Sequence, residues 1–274
     1  MKNNILIYDI ETAPMEVYTH YIGNKVSVPH GAIIKEPYII CIAYKWMGVK
    51  KVHHLQYDPR DKGSEKNMLE EFFQVVQKAD AVYGQNSNSF DNRWLRAQAM
   101  KLEVETPWPN LEEIDLLVQA RRTFRLPSYR LDYMAKTLGH GSKTKMDADD
   151  WYDICRLDSV LRVNAPDKIL EKVSRGLFNI SYKEIKRKGE KSLSKMVRYN
   201  CKDVALTEKV IKRMFRYFKL SLKEFRLFNN KLHSLHGDFI CPYCTKQTLR
   251  KNGTRTLKTG IYQRYLCNSC GRSS

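Results

Sequence analysis

Two acids stand at the end of the first strand-like segment of the sequence. The run Ile5-Leu6-Ile7-Tyr8-Asp9-Ile10-Glu11 is rich in β-branched and aromatic residues, which favours a β-strand. Because successive side chains of a strand point to opposite faces, Asp9 and Glu11 project to the same side. If that side is partly buried, the two carboxylates repel each other and lose hydration, and a divalent cation offsets both costs. A lone acidic pair on a strand is more often a solvated surface feature, so a metal site needs further ligands from later in the chain.

Two later segments offer such ligands. Residues 82–91 read as a short strand and a Gly/Asn/Ser loop, with Asp91 at the start of a helix. Taken alone, Asp91 is best explained as an acid at the positive end of a helix dipole. Tyr199 and Asp203 are four residues apart and therefore share one face of a predicted helix. An aspartate among apolar neighbours on that helix is costly unless a cation meets it.

The three segments, in this order, resemble the three motifs of a known family. Asp-Ile-Glu-Thr at 9–12, Gly-Gln-Asn-Ser-Asn-Ser-Phe-Asp at 84–91 and Tyr-Asn-Cys-Lys-Asp at 199–203 resemble those of the DEDD 3′-to-5′ exonucleases. These enzymes belong to the ribonuclease-H-like superfamily and include the proofreading exonuclease domains of DNA polymerases. The Tyr-x-x-x-Asp spacing matches the tyrosine form of the family, whereas the histidine form would need a histidine where this sequence has Arg198.

The resemblance implies an α/β fold, with a mixed sheet flanked by helices, over residues 1–218. It also implies hydrolysis of phosphodiester bonds at 3′ ends, with two Mg²⁺ or Mn²⁺ ions as cofactors. Such ions prefer carboxylate oxygens, and a pair of them can activate water and stabilise the charge on a phosphate. The residues implied to be catalytic are Asp9, Glu11, Asp91, Tyr199 and Asp203.

The resemblance also distributes roles among these residues. The carboxylate of Asp9 is implied to bridge both ions, Glu11 and Asp203 to complete the ion that binds the attacking water, and Asp91 to hold the second ion. Tyr199 is implied to orient or deprotonate the water, although a tyrosine here could instead be an ordinary core or interface residue. Besides the four acids and the tyrosine, Thr12 and Asn86 match positions that contact the terminal nucleotide in relatives.

The elements that must position these residues follow from periodicity. Strands are predicted at 5–11, 38–46, 52–57 and 79–83, and helices from Ser64, at 91–100, 111–125 and 128–138, and from about Ser192 to 218. The Pro- and Gly-containing stretch 13–37 predicts a long irregular excursion. Residues 140–190 give no clear assignment.

Four cysteines form a second candidate metal site near the end of the sequence. Cys241 and Cys244 are followed, after 22 residues, by Cys267 and Cys270. Two such pairs are typical of structural zinc held by four thiolates, with no position open for catalysis. Residues 239–274 are therefore predicted to form a zinc ribbon, which resembles the ribbons of insertion-sequence transposases and is expected to aid DNA binding. A ribbon that only braces protein against protein is the alternative.

Charge is distributed unevenly along the chain. The net charge is +18, and residues 168–231 carry 19 Lys and Arg against 6 Asp and Glu, while residues 239–274 carry 7 against none. This asymmetry favours nucleic acid as a partner over a membrane. Residues 219–238 are predicted to be a basic helical linker to the ribbon. With no signal peptide or transmembrane run, the protein is expected to be intracellular and cytoplasmic.

DNA is the expected substrate, because the ribbon's resemblance is to DNA-binding proteins. A polymerase or another replication or repair protein is the protein partner that the resemblance suggests. Two alternatives stay open from the sequence. The same fold could degrade RNA from its 3′ end, or it could bind nucleic acid without catalysis.

Overall fold

A five-stranded mixed sheet forms the centre of the fold. The computed structural model describes residues 4–20, 23, 27–108, 111–218, 249–257 and 260–272. Up to residue 218 the strands are, in chain order, β1 Ile5–Thr12, β2 Glu16–Val17, β3 Ile33–Lys35, β4 Ile39–Trp46, β5 His53–Gln56, β6 Ala81–Gly84 and β7 Glu112–Asp115. The central sheet has the order β5-β4-β1-β6-β7. Strand β1 runs antiparallel to β4 and parallel to β6, so it lies between the two halves of the sheet.

Strand β1 is buried on both of its faces. Ile5 and Ile7 lie in one apolar core, whereas Leu6, Tyr8 and Ile10 lie in another on the opposite side of the sheet. This distribution confirms the alternation predicted from the sequence, because apolar side chains on both sides of a strand hold it between two layers.

Helices cover both faces of the sheet. They are, in chain order, α1 Ser64–Val76, α2 Asp91–Leu102, α3 Leu116–Thr123, α4 Leu131–Thr137, α5 Ala148–Leu161, α6 Asp167–Phe178 and α7 Tyr182–Met214. Helices α1 and α2 pack in the core that contains Leu6 and Tyr8. Helices α3, α4 and the second half of α7 pack in the core that contains Ile5 and Ile7. The predicted class, an α/β mixed sheet flanked by helices, is confirmed.

Two helix predictions need correction. Residues 111–125 were expected to form one helix, but the segment begins as β7 and turns into α3 at Asp115. The Asp115 side chain accepts a hydrogen bond from Leu117 N at 2.8 Å and so caps α3. The second correction concerns α7, which begins ten residues before Ser192, at Tyr182, where Ser181 provides the N-cap.

Two segments contain regular elements that were not predicted. Residues 140–190 contain α5, α6 and the start of α7, and these form a third apolar cluster around Leu157, Leu161 and Leu170. The excursion at 13–37, expected to be irregular, contains β2 and β3, which pair antiparallel, and a short 3-10 turn at His30–Ala32.

The C-terminal part of the chain is described only in pieces. Strands β8 Leu249–Leu257 and β9 Gly260–Cys267 pair antiparallel, as expected for the strands of a small ribbon. The predicted linker at 219–238 and the first cysteine pair, Cys241 and Cys244, lie outside the described residues. Within the described ranges, no helix is long and apolar enough to span a membrane.

Helix α7 approaches α5 closely at a glycine. A Cβ atom added to Gly189 would lie 2.5 Å from Leu157 Cβ and 2.9 Å from the Asp153 carbonyl oxygen. Distances this short require backbone or core side chains to move. Gly189 therefore allows the first half of α7 to lie against α5.

We expect Gly189→Ala to destabilise the protein by about 1–3 kcal/mol, because overpacking outweighs the better helix propensity of alanine. Gly176→Ala in α6 is the matched control, since no atom lies within 4 Å of its added Cβ. That control should gain up to about 1 kcal/mol. Denaturant unfolding measures both, and equal stabilisation of the two variants would contradict the α5–α7 packing.

Candidate active site

The first two acids lie where β1 extends past its neighbour. Strand β1 pairs with β6 only from Ile5 to Ile7, but with β4 as far as Thr12. Asp9 and Glu11 therefore lie beyond the end of β6, next to the start of α2. There the carboxylate of Asp91 accepts a hydrogen bond from Ile10 N at 3.0 Å. Asp91 thus satisfies a strand N–H between the two acids and is fixed beside them.

The loop before Asp91 is held by another acid. Asp115 accepts hydrogen bonds from Asn86 N at 2.9 Å and from Asn88 N at 3.1 Å. Asn86 adopts a left-handed backbone conformation, with φ of 64°, which asparagine tolerates better than most residues. At Gly84 an added Cβ would lie 2.5 Å from Ser87 Cβ. The glycine and the Asp115 carboxylate together allow the tight turn that leads into α2.

Helix α7 supplies the third acid of the cluster. A carboxylate oxygen from each of Asp9, Glu11 and Asp203 lies within 4.8 Å of the other two. Asn200, which is fully buried, donates a hydrogen bond from Nδ2 to Asp9 Oδ2 at 2.7 Å. Since Asn200 and Asp203 are one turn apart, the same helix face orients Asp9 and adds an acid to it.

A lysine reaches the cluster from the loop between α4 and α5. Lys143 Nζ lies 2.5 Å from Asp203 Oδ2 and 3.0 Å from the Tyr199 hydroxyl oxygen. The backbone N–H of Lys143 is tied to Asp132 Oδ1 at 2.8 Å, which fixes the loop. Tyr199 is therefore linked to Asp203 through the Lys143 ammonium, at the rim of the cluster.

Burial and mutual repulsion make these acids hard to ionise. Burial raises the pKa of Glu11 to about 8 and that of Asp91 to about 7. The pKa of Asp9 is raised well above its usual value by burial and by the carboxylates of Asp91 and Glu11. Burial also raises the pKa of Asp203, although the Lys143 ammonium opposes the shift. One ammonium thus compensates only part of the charge of four carboxylates.

Tyr199 remains a neutral phenol in this environment. Burial, followed by the negative charge of Asp203, raises the pKa of Tyr199 to about 12. Burial alone would lower the pKa of Lys143, but the Asp203 carboxylate and the Tyr199 hydroxyl hold it above its usual value. Near neutral pH the rim therefore carries a protonated lysine and a protonated tyrosine.

The donor set fits a hard divalent cation. The two buried oxygens of Asp203 accept no well-directed hydrogen bond from the described part of the chain. Carboxylate oxygens of Asp9 and Glu11 lie within reach of the same point, and oxygen-only ligands suit Mg²⁺ or Mn²⁺. Asp91 lies outside that group of three but is fixed to the strand between Asp9 and Glu11.

The structure brings together all five residues that the resemblance implied to be catalytic. Of the two predicted substrate contacts, Thr12 follows a bulge in β1, and its carbonyl oxygen accepts a hydrogen bond from Trp151 Nε1 at 3.3 Å. Asn86 lies in the loop held by Asp115, and its role toward a nucleotide stays a prediction. Sequence reasoning did not identify Asn200, Lys143 or Asp115 as site residues. Asn200 alone had a signal, its place inside the third motif.

Comparison with known families agrees with this architecture. Residues 34–154 match the model of a family described as the RNase_H superfamily. The fold is ribonuclease-H-like. The matched segment contains Asp91 and Lys143 but neither β1 nor α7. No curated protein matches the chain.

One solved structure with a similar chain is the family B DNA polymerase from the hyperthermophilic archaeon Pyrobaculum calidifontis. Its sequence is 17% identical, the TM-score is 0.47, and the alignment covers 78% of this chain and 25% of the polymerase chain. The chain thus spans about a quarter of that protein's length.

The raised pKa values predict how stability depends on pH. In the unfolded chain Glu11 and Asp91 have their usual pKa values of 4.5 and 3.8. Both residues therefore bind a proton more tightly in the folded protein, where these values are raised. Without metal, the melting temperature should therefore fall as pH rises from about 4 to about 8. Because Mn²⁺ or Mg²⁺ binds the ionised acids, the ion should raise the melting temperature increasingly over the same range. A saturating ion at ~100 Kd adds about 2.7 kcal/mol.

Thermal melts with EDTA and with Mn²⁺, from pH 5 to pH 8, test this expectation. The Glu11→Gln/Asp91→Asn double variant is the control, and its EDTA curve should be flatter. A metal effect that is the same at pH 5 and pH 8 would contradict the raised pKa values.

Proposed function

We propose that this chain is a metal-dependent 3′-to-5′ exonuclease that hydrolyses phosphodiester bonds at the ends of DNA. The observation that carries the proposal is the cluster of Asp9, Glu11 and Asp203, with Asp91 hydrogen-bonded to the strand between the first two. Buried acids so close together are costly without cations, and the ribonuclease-H-like fold supports a nuclease. The direction of cleavage and the preference for DNA rest on the resemblance of the motifs and of the ribbon.

The four acids would hold two divalent ions. When bound, such ions supply an activated water and stabilise the charge that develops on the phosphate and on the departing 3′ oxygen. Asn200 keeps Asp9 oriented through its hydrogen bond to Oδ2. The hydrogen bond from Ile10 N does the same for Asp91. Both contacts reduce the reorganisation that the carboxylates need when they act.

Tyr199 orients the attacking water in this proposal. Its pKa, raised to about 12, keeps the hydroxyl protonated near neutral pH. The hydroxyl accepts a hydrogen bond from Lys143 Nζ and keeps its own proton to donate, either to the Asp203 carboxylate or to a water or phosphate oxygen. Of the two roles that the resemblance implied, orienting the water fits this environment better than deprotonating it.

The ammonium of Lys143 has two roles in this proposal. It fixes the Tyr199 hydroxyl and lies against Asp203. A positive charge held at this position also attracts the phosphate and stabilises negative charge that forms during cleavage. Since the site is partly shielded from water, that effect is stronger than it would be at an exposed surface.

The C-terminal hairpin is proposed to be part of a zinc ribbon. Ser269 N donates a hydrogen bond to Cys267 Sγ at 3.4 Å, and Gly271 N donates to the Cys267 carbonyl oxygen at 2.9 Å. Gly271 has a positive φ of 69°, which a tight turn after Cys270 requires. This turn supports one half of a four-thiolate site, and Cys241 and Cys244 would supply the other half.

Wild-type protein with Mg²⁺ or Mn²⁺ should shorten 5′-labelled single-stranded DNA from its 3′ end and release mononucleotides. Asp9→Asn and Asp203→Asn should each lower the rate at least about 100-fold, because each removes charge that holds the ions. Tyr199→Phe should lower kcat about 100-fold, since only the water-orienting hydroxyl is lost. Gel electrophoresis of the labelled strand gives the rates.

Asp149→Asn is the matched control, because Asp149 is an exposed acid in the first turn of α5 and should leave the rate unchanged. Parallel assays on RNA of the same sequence decide the substrate, and faster cleavage of RNA would replace DNA with RNA in the proposal. Equal rates for wild type and Asp9→Asn would refute the site assignment. Association with a polymerase or another replication or repair protein stays a prediction that co-purification can test.

Purified protein should contain about one zinc ion per chain, since four thiolates complete a tetrahedral site. Cys270→Ser should lower the zinc content to near zero, whereas Cys201→Ser, on α7, should not change it. Elemental analysis by mass spectrometry measures both. Zinc retained in full by Cys270→Ser would argue against a four-cysteine site.

A further inference from the structure

Helix α7 presents basic side chains along one side that faces solvent. Eight basic residues of α7 are exposed, and six of them belong to this side: Arg187, Lys191, Arg198, Lys202, Lys209 and Arg213. With 3.6 residues per turn, these positions lie on one stripe of the helix, away from buried residues such as Met196 and Asp203. We call these six residues the α7 basic stripe.

The spacing of the stripe is regular. Its residues form three pairs four residues apart, and each pair lies 11 residues after the preceding one. Eleven residues make close to three helical turns, so the pairs stay on the same side of the helix. From Arg187 to Arg213 the stripe is about 39 Å long at 1.5 Å per residue.

Three of the five other basic residues of α7 are neutralised by acids. Lys188 pairs with Glu184 at 2.9 Å, Lys195 with Asp150 at 2.6 Å, and Lys212 with Glu208 at 3.0 Å. The stripe residues form no ion pair with an acid within the described ranges of the chain. A row of like charges without counter-charges is unfavourable for the helix itself. Such a row is therefore suited to an external polyanion.

The middle of the stripe borders the candidate active site. Arg198 and Lys202 each immediately precede a site residue, Tyr199 and Asp203 respectively. Lys202 Nζ also lies 3.4 Å from Thr144 Oγ1, next to Lys143 in the loop that reaches the acids. A polyanion lying along the stripe thus passes the rim of the site.

We propose that the α7 basic stripe binds the phosphodiester backbone of the nucleic acid whose 3′ end enters the acidic cluster. The proposal rests on the proposed nuclease function and adds to it the surface that holds the strand. Six exposed basic side chains spread over about 39 Å match the repeated charges of a nucleic-acid strand better than they match a single phosphate group. A membrane-binding helix would place large apolar residues beside its basic side chains. Here Ser194 and Ala205 lie between the successive pairs of the stripe.

The test compares two variants with equal charge loss on the same helix. The stripe variant replaces Arg187, Lys191, Lys209 and Arg213 with Gln and leaves the pair beside the site in place. The control variant replaces Lys183, Lys186, Lys188 and Lys212 with Gln, four lysines of α7 outside the stripe. Both carry Asp9→Asn, so that cleavage does not interfere. Fluorescence anisotropy with a labelled single-stranded 20-mer then gives the dissociation constant between 50 and 300 mM NaCl.

If the proposal is correct, the stripe variant binds at least about tenfold more weakly than the control at low salt. The slope of log K against log salt should fall by about 3, because each lost phosphate contact on a single strand contributes about 0.7. Equal affinities and slopes for the two variants would overturn the proposal, since only net charge would then matter. Circular dichroism confirms that both variants keep the helix.

Failure of the stripe is distinguishable from failure of the nuclease function. If wild type does not hydrolyse nucleic acid but the two variants still differ in binding, the α7 basic stripe stands as a binding surface and the proposed activity is wrong. If wild type is an exonuclease and the two variants bind alike, the activity stands and the stripe is wrong.

Discussion

The cost of placing four carboxylates together is the constraint on which the rest of the structure depends. An isolated buried carboxylate is strongly unfavourable, and each neighbour of like charge adds to the cost. The chain compensates with directed groups: Ile10 N donates to Asp91, Asn200 donates to Asp9, and Lys143 pairs with Asp203. These contacts fix the acids but do not compensate their desolvation and mutual repulsion, since the pKa of Glu11 stays near 8. The remaining cost is what a pair of divalent ions can remove.

Residues away from the acids determine where the acids lie. The buried ion pair of Lys45 with Glu208 joins β4 to the second half of α7, and Gly48 N adds a hydrogen bond to Glu208. Although burial raises it, the pKa of Glu208 is lowered overall by these donors, so the residue is charged. Gly189 sets the approach of the first half of α7 to α5. The helix is thereby fixed on both sides of Asp203.

Side-chain periodicity was enough to predict the first strand and the face that carries Asp9 and Glu11. The same reasoning failed at Glu112–Asp115, where a four-residue strand of mainly acidic residues shows no apolar alternation and is followed at once by α3. It also placed the start of α7 too late. Gly189 is unfavourable for a helix by propensity, but close packing against Leu157 requires it. Tertiary contacts outweighed local preference in both places.

Lys143 shows why part of the site was not predictable. It lies in an irregular loop without periodicity, and its contacts are to residues 56 and 60 positions later, Tyr199 and Asp203. Such contacts arise only once the loop is tied to Asp132 and α7 is packed. The acids could be found because their types and order form motifs, whereas one lysine among many in a basic chain carries no comparable signal.

The two kinds of positive charge on this chain have different physical effects. Charges on the α7 basic stripe are exposed, and salt screens them over about 8–10 Å. They can raise the local concentration of a polyanion, but they do little to lower the cost of the buried acids. Lys143 lies against Asp203 where screening is weak, so it acts on the acids directly. A single helix can therefore carry an acid whose charge is only partly compensated on the side toward the sheet, while basic side chains attract phosphates on the side toward solvent. Further basic side chains placed close to the acids would neutralise the cluster and weaken its affinity for metal ions.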